Sequence, residues 1–214
     1  MNEENKNANN TEDEIELPET PVAPAENKAS ETQTAAAVTT TAVTIKGVYE
    51  WLETFCLALS LMVILFLFAF KYVTVDGTSM LDTLDDGQKL IITDLTSYEQ
   101  GDIVVICEPG HEKPLVKRII AVEGQTVDID FETWTVYVDG KAIDEPYVRY
   151  IYGADMKSDG FSGHIVVEEG TVFVMGDNRN GSTDSRKLGC IDKRNILGKV
   201  VFRVFPLNVF GKVK

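Results

Sequence analysis

The feature that most limits what this chain can fold into is WLETFCLALSLMVILFLFAFKYVTV, residues 51–75. Residues 54–70 carry no charge, and Tyr72, Val73 and Val75 extend the apolar stretch beyond Lys71. About 20 apolar residues cross a bilayer as a helix. Trp51 and Tyr72 stand where interfacial aromatic anchors belong. The run is apolar on all faces, and no comparable segment exists to pack against it as a buried core helix. We therefore expect a membrane anchor helix over residues 48–75. Lys46 and Lys71 flank the span almost evenly, so the distribution of basic residues gives no orientation.

On either side of this segment the composition differs. Residues 1–45 are rich in Glu, Asn, Thr, Ala and Pro and hold almost no large apolar side chains. Such a segment cannot bury enough surface to offset its ordering entropy, which predicts a disordered acidic tail. Net charge is −14 over 214 residues, with no basic stripe to neutralise phosphates, so nucleic acid is excluded as a general partner. Cys56, Cys107 and Cys190 are too few and too scattered for a disulfide framework or a zinc site. Buried free thiols are the plain reading, with Cys107–Cys190 the one pairing open to a folded domain.

Residues 76–214 read as one mainly β, antiparallel domain. KLIITD, DIVVI, LVKRIIAV, TVDI, WTVYV, TVFVMG and KVVFRVF are short, rich in β-branched residues and separated by Gly, Asp and Pro. TVYV-DG-KAI predicts a hairpin with Asp139-Gly140 as a type I′ turn. Residues 141–170, with glycines at 153, 160, 163 and 170, predict a long loop-rich excursion.

Three stretches hold candidate chemistry. Gly77-Thr78-Ser79-Met80 puts a serine in a glycine turn just past the apolar segment. A serine hydroxyl needs a base before it is a useful nucleophile. His111 and His164 sit in Gly- and Pro-rich stretches and are poor candidates. Lys117 and Arg118 interrupt LVKRIIAV, a strand apolar on both faces. Alternation puts Lys117 with Leu115, Ile119 and Ala121, and Arg118 with Val116, Ile120 and Val122. On an edge strand both cations would reach water along their stems. Buried instead, lysine loses its proton more readily, and a fall to about pH 8 requires roughly 3 kcal/mol of desolvation, within reach of a buried site. Arginine cannot be neutralised and must pair. The third stretch, GDNRNGSTDSR at 176–186, is dense in charge for a segment attached to an apolar strand. Its residues could satisfy one another and Arg118 while orienting Lys117.

Together these stretches resemble the type I signal peptidases, membrane-anchored Ser–Lys endopeptidases of bacteria. The resemblance rests on SMLDTL, on Lys117-Arg118 in a strand and on GDNRNGSTDSR, and spans residues 50–210. It implies Ser79 as nucleophile and Lys117 as general base. It implies that Ser182 orients the lysine, with Asp177, Asp184, Arg186 and Arg118 as supporting ion-pair residues. The Ser79 N–H would serve the oxyanion hole; Gly77 occupies the position from which some relatives offer a hydroxyl. Small pockets near Met80 and Ile119 would accept alanine-like substrate side chains. The implied partners are preprotein signal peptides and the lipid bilayer, with the secretion machinery as a candidate associate. No cofactor is implied. The implied location is the cell membrane, single-pass, with the N-terminus cytoplasmic and the catalytic domain outside. One departure is Asp82, where the family has proline. Either Asp82 points away, or as an acid close to Lys117 it raises the amine's pKa and shifts activity to higher pH, or the chain is a weak or inactive relative. Alternatives are a catalytically weak or silent membrane-anchored binding paralogue and a self-cleaving protease of the LexA type.

Overall fold

The computed structural model describes residues 28–213, with side chains from residue 45 onward. The expected tail over residues 1–45 lies partly outside the described residues. Its later portion is corrected: α1 runs Lys28–Ala69, 42 residues, so residues 28–45 continue the helix backward. The apolar segment supplies the nucleus, and extension costs little through Ala35-Ala36-Ala37 once a helix exists. Within α1, Ile45–Ala69 has mean hydropathy 2.4 and is long and apolar enough to cross a membrane. α1 crosses a boundary between two compact units, the second of which runs Leu59–Lys214.

The anchor boundary at 75 is corrected as well. The helix stops at Ala69, and Lys71–Thr74 is strand β1, paired antiparallel with β2 (Lys89–Thr93). The last turn closes with Phe70 N–H donating to Phe66 O at 3.1 Å. Thr93 Oγ1 then donates to the freed Ala69 carbonyl at 2.9 Å. Lys71 is drawn sideways to Asp94 at 2.9 Å and to Leu197 O at 3.2 Å. Tyr72 and Val73 thus belong to the sheet, where aromatic and β-branched side chains fit well. Ser79 lies ten residues past the helix end, so chain length alone bounds their separation only at roughly 35 Å.

The remaining strands are β3 (Ile103–Ile106), β4 (Leu115–Val122), β5 (Thr126–Asp130), β6 (Thr135–Val138), β7 (Lys141–Ala142), β8 (His164–Val166), β9 (Thr171–Met175), β10 (Ile191–Asp192) and β11 (Ile196–Phe205). A single turn of helix, α2 (Ser185–Leu188), stands between β9 and β10. All pairings are antiparallel and form two sheets, of order β1-β2-β11-β3-β4-β9-β10 and β7-β6-β5-β8. The β6–β7 turn has φ of 52° at Asp139 and 73° at Gly140, the two left-handed residues a type I′ turn demands.

β4 positions the site. It is an interior strand between β3 and β9, and residues 116–121 are all buried. That excludes the edge-strand escape for Lys117 and Arg118. Strict alternation also fails here. The β4–β9 register shifts between Ile119 and Ala121, so Ile119 joins Val104 and Val174 while Ile120 and Ala121 join Phe173 and Met175. A third cluster, including Val75, Met80, Leu84, Leu90 and Ile103, packs beneath the serine turn. Cys107 and Cys190 are free thiols, and Cys107 is exposed, against the expectation of burial.

Candidate active site

The serine turn is held from both ends. Val75 N–H donates to Gln88 O at 2.8 Å and Gly87 N–H to Val75 O at 3.0 Å. Gly77 has φ of 94°, a backbone conformation side chains disfavour, and its N–H donates to Asp86 Oδ1 at 2.7 Å. Beyond Ser79 the chain coils, with Thr83 and Leu84 N–H donating to Met80 O at 2.9 and 2.8 Å. Met80 and Leu84 fill the core below. The Leu81–Asp82 peptide is cis.

The loop after β9 grips the turn from the other side. Asn178 N–H donates to Ser79 O and its Nδ2 to Thr78 O, both at 3.0 Å. Gly176 allows this approach, since a Cβ there would lie 2.5 Å from Ser79 O and would also collide with Ser182. Thr83 Oγ1 donates to Asp177 Oδ2 at 2.5 Å.

Lys117 reaches this turn from β4. Its Nζ donates to Ser79 Oγ at 2.8 Å and to Val116 O at 2.8 Å. The side chain is 1% exposed. Burial pushes the amine down from its ordinary value to about 8, opposed by the carboxylates of Asp184 and then Asp177. A neutral amine at this distance from a hydroxyl can accept its proton.

The two carboxylates are themselves paired. Arg118 Nε and Nη2 donate to Asp177 at 2.9 and 2.8 Å, and Nη1 donates to Gly101 O at 3.0 Å. Arg186 Nε and Nη2 donate to Asp184 at 2.9 and 2.8 Å. Asp184 also accepts from Gly176 N–H at 3.0 Å, fixing the loop's start. All four side chains are at most 4% exposed. Bidentate pairing of this kind satisfies guanidinium groups that would otherwise be costly to bury.

Two expectations need correction, one on Ser182 and one on Met80 and Ile119. Ser182 Oγ is buried and has no hydrogen-bond partner among the described residues, so Val116 O and Ser79 Oγ, not Ser182, are the groups Lys117 Nζ meets. Met80 and Ile119 are 1% and 0% exposed and belong to separate core clusters, so neither presents surface to a substrate. Of the alternatives open to Asp82, the outward one is found, its side chain 76% exposed with Arg149 at 3.8 Å. The carboxylates that oppose Lys117 deprotonation are Asp184 and Asp177.

The sequence also hid participants. Arg179, 0% exposed, is bonded by Nη1 and Nη2 to Glu145 at 3.1 and 2.5 Å. The Tyr147 ring lies 3.8 Å from the Arg118 guanidinium carbon. Glu145 and Tyr147 sit in the aperiodic excursion, where no pattern separates a buried residue from a solvated one. Outside this region His164 pairs with Asp128 at 2.6 Å on the surface. Among the described residues no group of three or more His, Cys, Asp or Glu is arranged to hold a metal ion.

A family model for signal peptidase, peptidase S26, matches residues 48–205. The chain belongs to the signal peptidase family. A signal peptidase I of Bacillus licheniformis is 38% identical over 177 residues, covering 78% of this chain and 93% of the relative. Signal peptidase IB of Staphylococcus aureus strain COL is 32% identical over 187 residues, covering 77% and 93%. A crystal structure of a signal peptidase I from Enterococcus faecalis V583 aligns with 50% of this chain and 98% of its own, with 26% identity and a TM-score of 0.42. As a signal peptidase I, the chain is an enzyme of signal-peptide removal.

Proposed function

We propose that this signal peptidase cuts preproteins through a Ser79–Lys117 pair. Neutral Lys117 takes the Ser79 proton as Oγ attacks the scissile carbonyl, and the amine then protonates the leaving N-terminus of the mature protein. Water, activated by the same amine, releases the signal peptide from the acyl-enzyme. The Ser79 N–H is the oxyanion donor we assign, and Asn178 and Gly176 hold that backbone in place. Arg118–Asp177 and Arg186–Asp184 keep the two nearby carboxylates engaged.

The observation that carries this reading is the 2.8 Å contact between a 1% exposed lysine and a serine hydroxyl. A lysine with its ordinary pKa would be almost wholly charged at pH 7; one near 8 is about one-tenth neutral. Ile45–Ala69 anchors the enzyme in the cell membrane as a single pass, with the N-terminus cytoplasmic and residues 76–214 outside. That orientation follows from the substrate, because signal peptides are removed after their cleavage site has crossed. The substrate lies extended and pairs with a strand edge.

The test is cleavage of a preprotein by the detergent-solubilised full chain, followed by the size of the product. Ser79→Ala and Lys117→Ala should each abolish cleavage. Cleavage that survives Lys117→Ala rejects the proposed base.

A further inference from the structure

Residues 145–149 form a strap against the ion pairs that support the site. Glu145 is 6% exposed and bonds the fully buried Arg179 through both carboxylate oxygens. Arg179 Nε also donates to Gly176 O at 3.1 Å, so this ion pair holds the first residue of the loop that grips Ser79. Tyr147 donates its hydroxyl to Glu145 Oε1 at 3.1 Å and lays its ring over Arg118. Arg149 N–H donates to Asp177 O at 3.0 Å. Within five consecutive residues, Glu145, Tyr147 and Arg149 therefore touch Arg179, Arg118 and the backbone of Asp177 in turn.

We propose that Tyr147, braced by Glu145, is a positioning residue that holds Arg118 on Asp177, so that the Asp177 charge is met by Arg118 and not by Lys117. The ring reaches neither Ser79 nor a reacting atom; it acts through the guanidinium. A planar cation against an aromatic face is attracted to it, more strongly where water is excluded. With the ring in place, Arg118 keeps both donors on the carboxylate. Without it, the guanidinium loses the face it stacks on and its two-donor hold on Asp177 loosens, so Asp177 faces Lys117 with part of its charge unmet. An unmet negative charge favours ammonium. The other carboxylate that acts on Lys117, Asp184, is already matched by Arg186, and the remaining acids of the neighbouring segments are paired too, Glu145 with Arg179 and Asp102 with Lys199. Asp177 is the one whose partner depends on the strap.

This inference rests on Lys117 being the base, and its test is arranged so that the two can fail separately. The profile of kcat/KM against pH is measured for the full chain in detergent. Tyr147→Leu should move the acid-limb midpoint up by about half to one pH unit. At pH 7 that is a loss of about three- to tenfold, recovered at high pH. Tyr147→Phe keeps the ring over Arg118 and should keep the wild-type midpoint. A ring that merely fills space would lower the rate evenly at every pH. An unmoved midpoint in folded Tyr147→Leu therefore overturns the proposal. Should that variant not fold, Tyr147→Met, which fills similar volume without an aromatic face, carries the same expectation and the same refutation. If Lys117→Ala is inactive while the Tyr147→Leu midpoint stays put, the strap alone is rejected. If Lys117→Ala is active, the catalytic reading falls first.

Discussion

Replacing Lys117 by methionine should change how stability depends on pH, and by a calculable amount. In the unfolded chain the amine holds its proton up to its ordinary value of 10.5; in the fold it lets go near 8. Below pH 8 both states are protonated, and the native state bears the full desolvation cost of a 1% exposed ammonium. Above 10.5 both are neutral and that cost is gone. Between the two the unfolded chain binds more protons, so wild-type stability rises with pH. The span is worth about 3 kcal/mol. Methionine has similar length and no charge, so its variant lacks this rise. The measurement is guanidinium unfolding in detergent for both proteins at pH 7, 8, 9, 10 and 11. Subtracting one curve from the other removes the tyrosines and other lysines that titrate in the same range. The difference should move by about 3 kcal/mol in favour of wild type between pH 7 and pH 11. The bonds lost to Ser79 and Val116 O shift it by a constant of about 1–3 kcal/mol and leave its slope alone. A difference flat to within about 0.5 kcal/mol over that range would show that Lys117 is not desolvated, and the assignment of the base would lose its physical ground.

Other consequences can be checked in the same assays. Asp82→Asn should leave the acid-limb midpoint of kcat/KM unchanged, since the carboxylate is exposed and faces Arg149; a downward move would mean it acts on Lys117 after all. Gly176→Ala should reduce cleavage at least a hundredfold, because the added methyl collides with Ser182 and lies 2.5 Å from Ser79 O; near wild-type turnover would contradict the described approach. Asp177→Asn leaves Arg118 buried without its counter-charge and should destabilise by about 3–5 kcal/mol in chemical unfolding. Combining it with Arg118→Met should recover a large part of that loss, whereas additive losses would mean the two side chains are not coupled.

Much of the β domain was legible because its long strands are runs of Val, Ile and Phe, and because Asp139-Gly140 has the chemistry of one turn type. The short strands β1, β8 and β10 were not. β1 was read as the end of the membrane segment, since Tyr72 and Val73 suit either setting, and only Ile91 and Leu90 opposite them decide the matter. The start of α1 was missed because alanine and threonine in a polar stretch hold no pattern; an existing helix draws them in. Lys117 and Arg118 stood out because charge in the middle of an apolar strand is hard to explain otherwise. Met80 and Ile119 were assigned to substrate through their neighbours in sequence, yet the same neighbours turn their side chains into the core. Glu145 and Tyr147 became visible only when a segment about thirty residues upstream was laid against the 176–186 loop.

The grip of Asn178 on Thr78 joins positions 100 residues apart, while Lys117 meets Ser79 across 38. On the Ser–Lys reading, a chain that has not yet folded has its amine in water, fully charged and harmless. Proteolytic power is then switched on by completion of folding itself, and such an enzyme has no need of a removable inhibitory segment while it is being made.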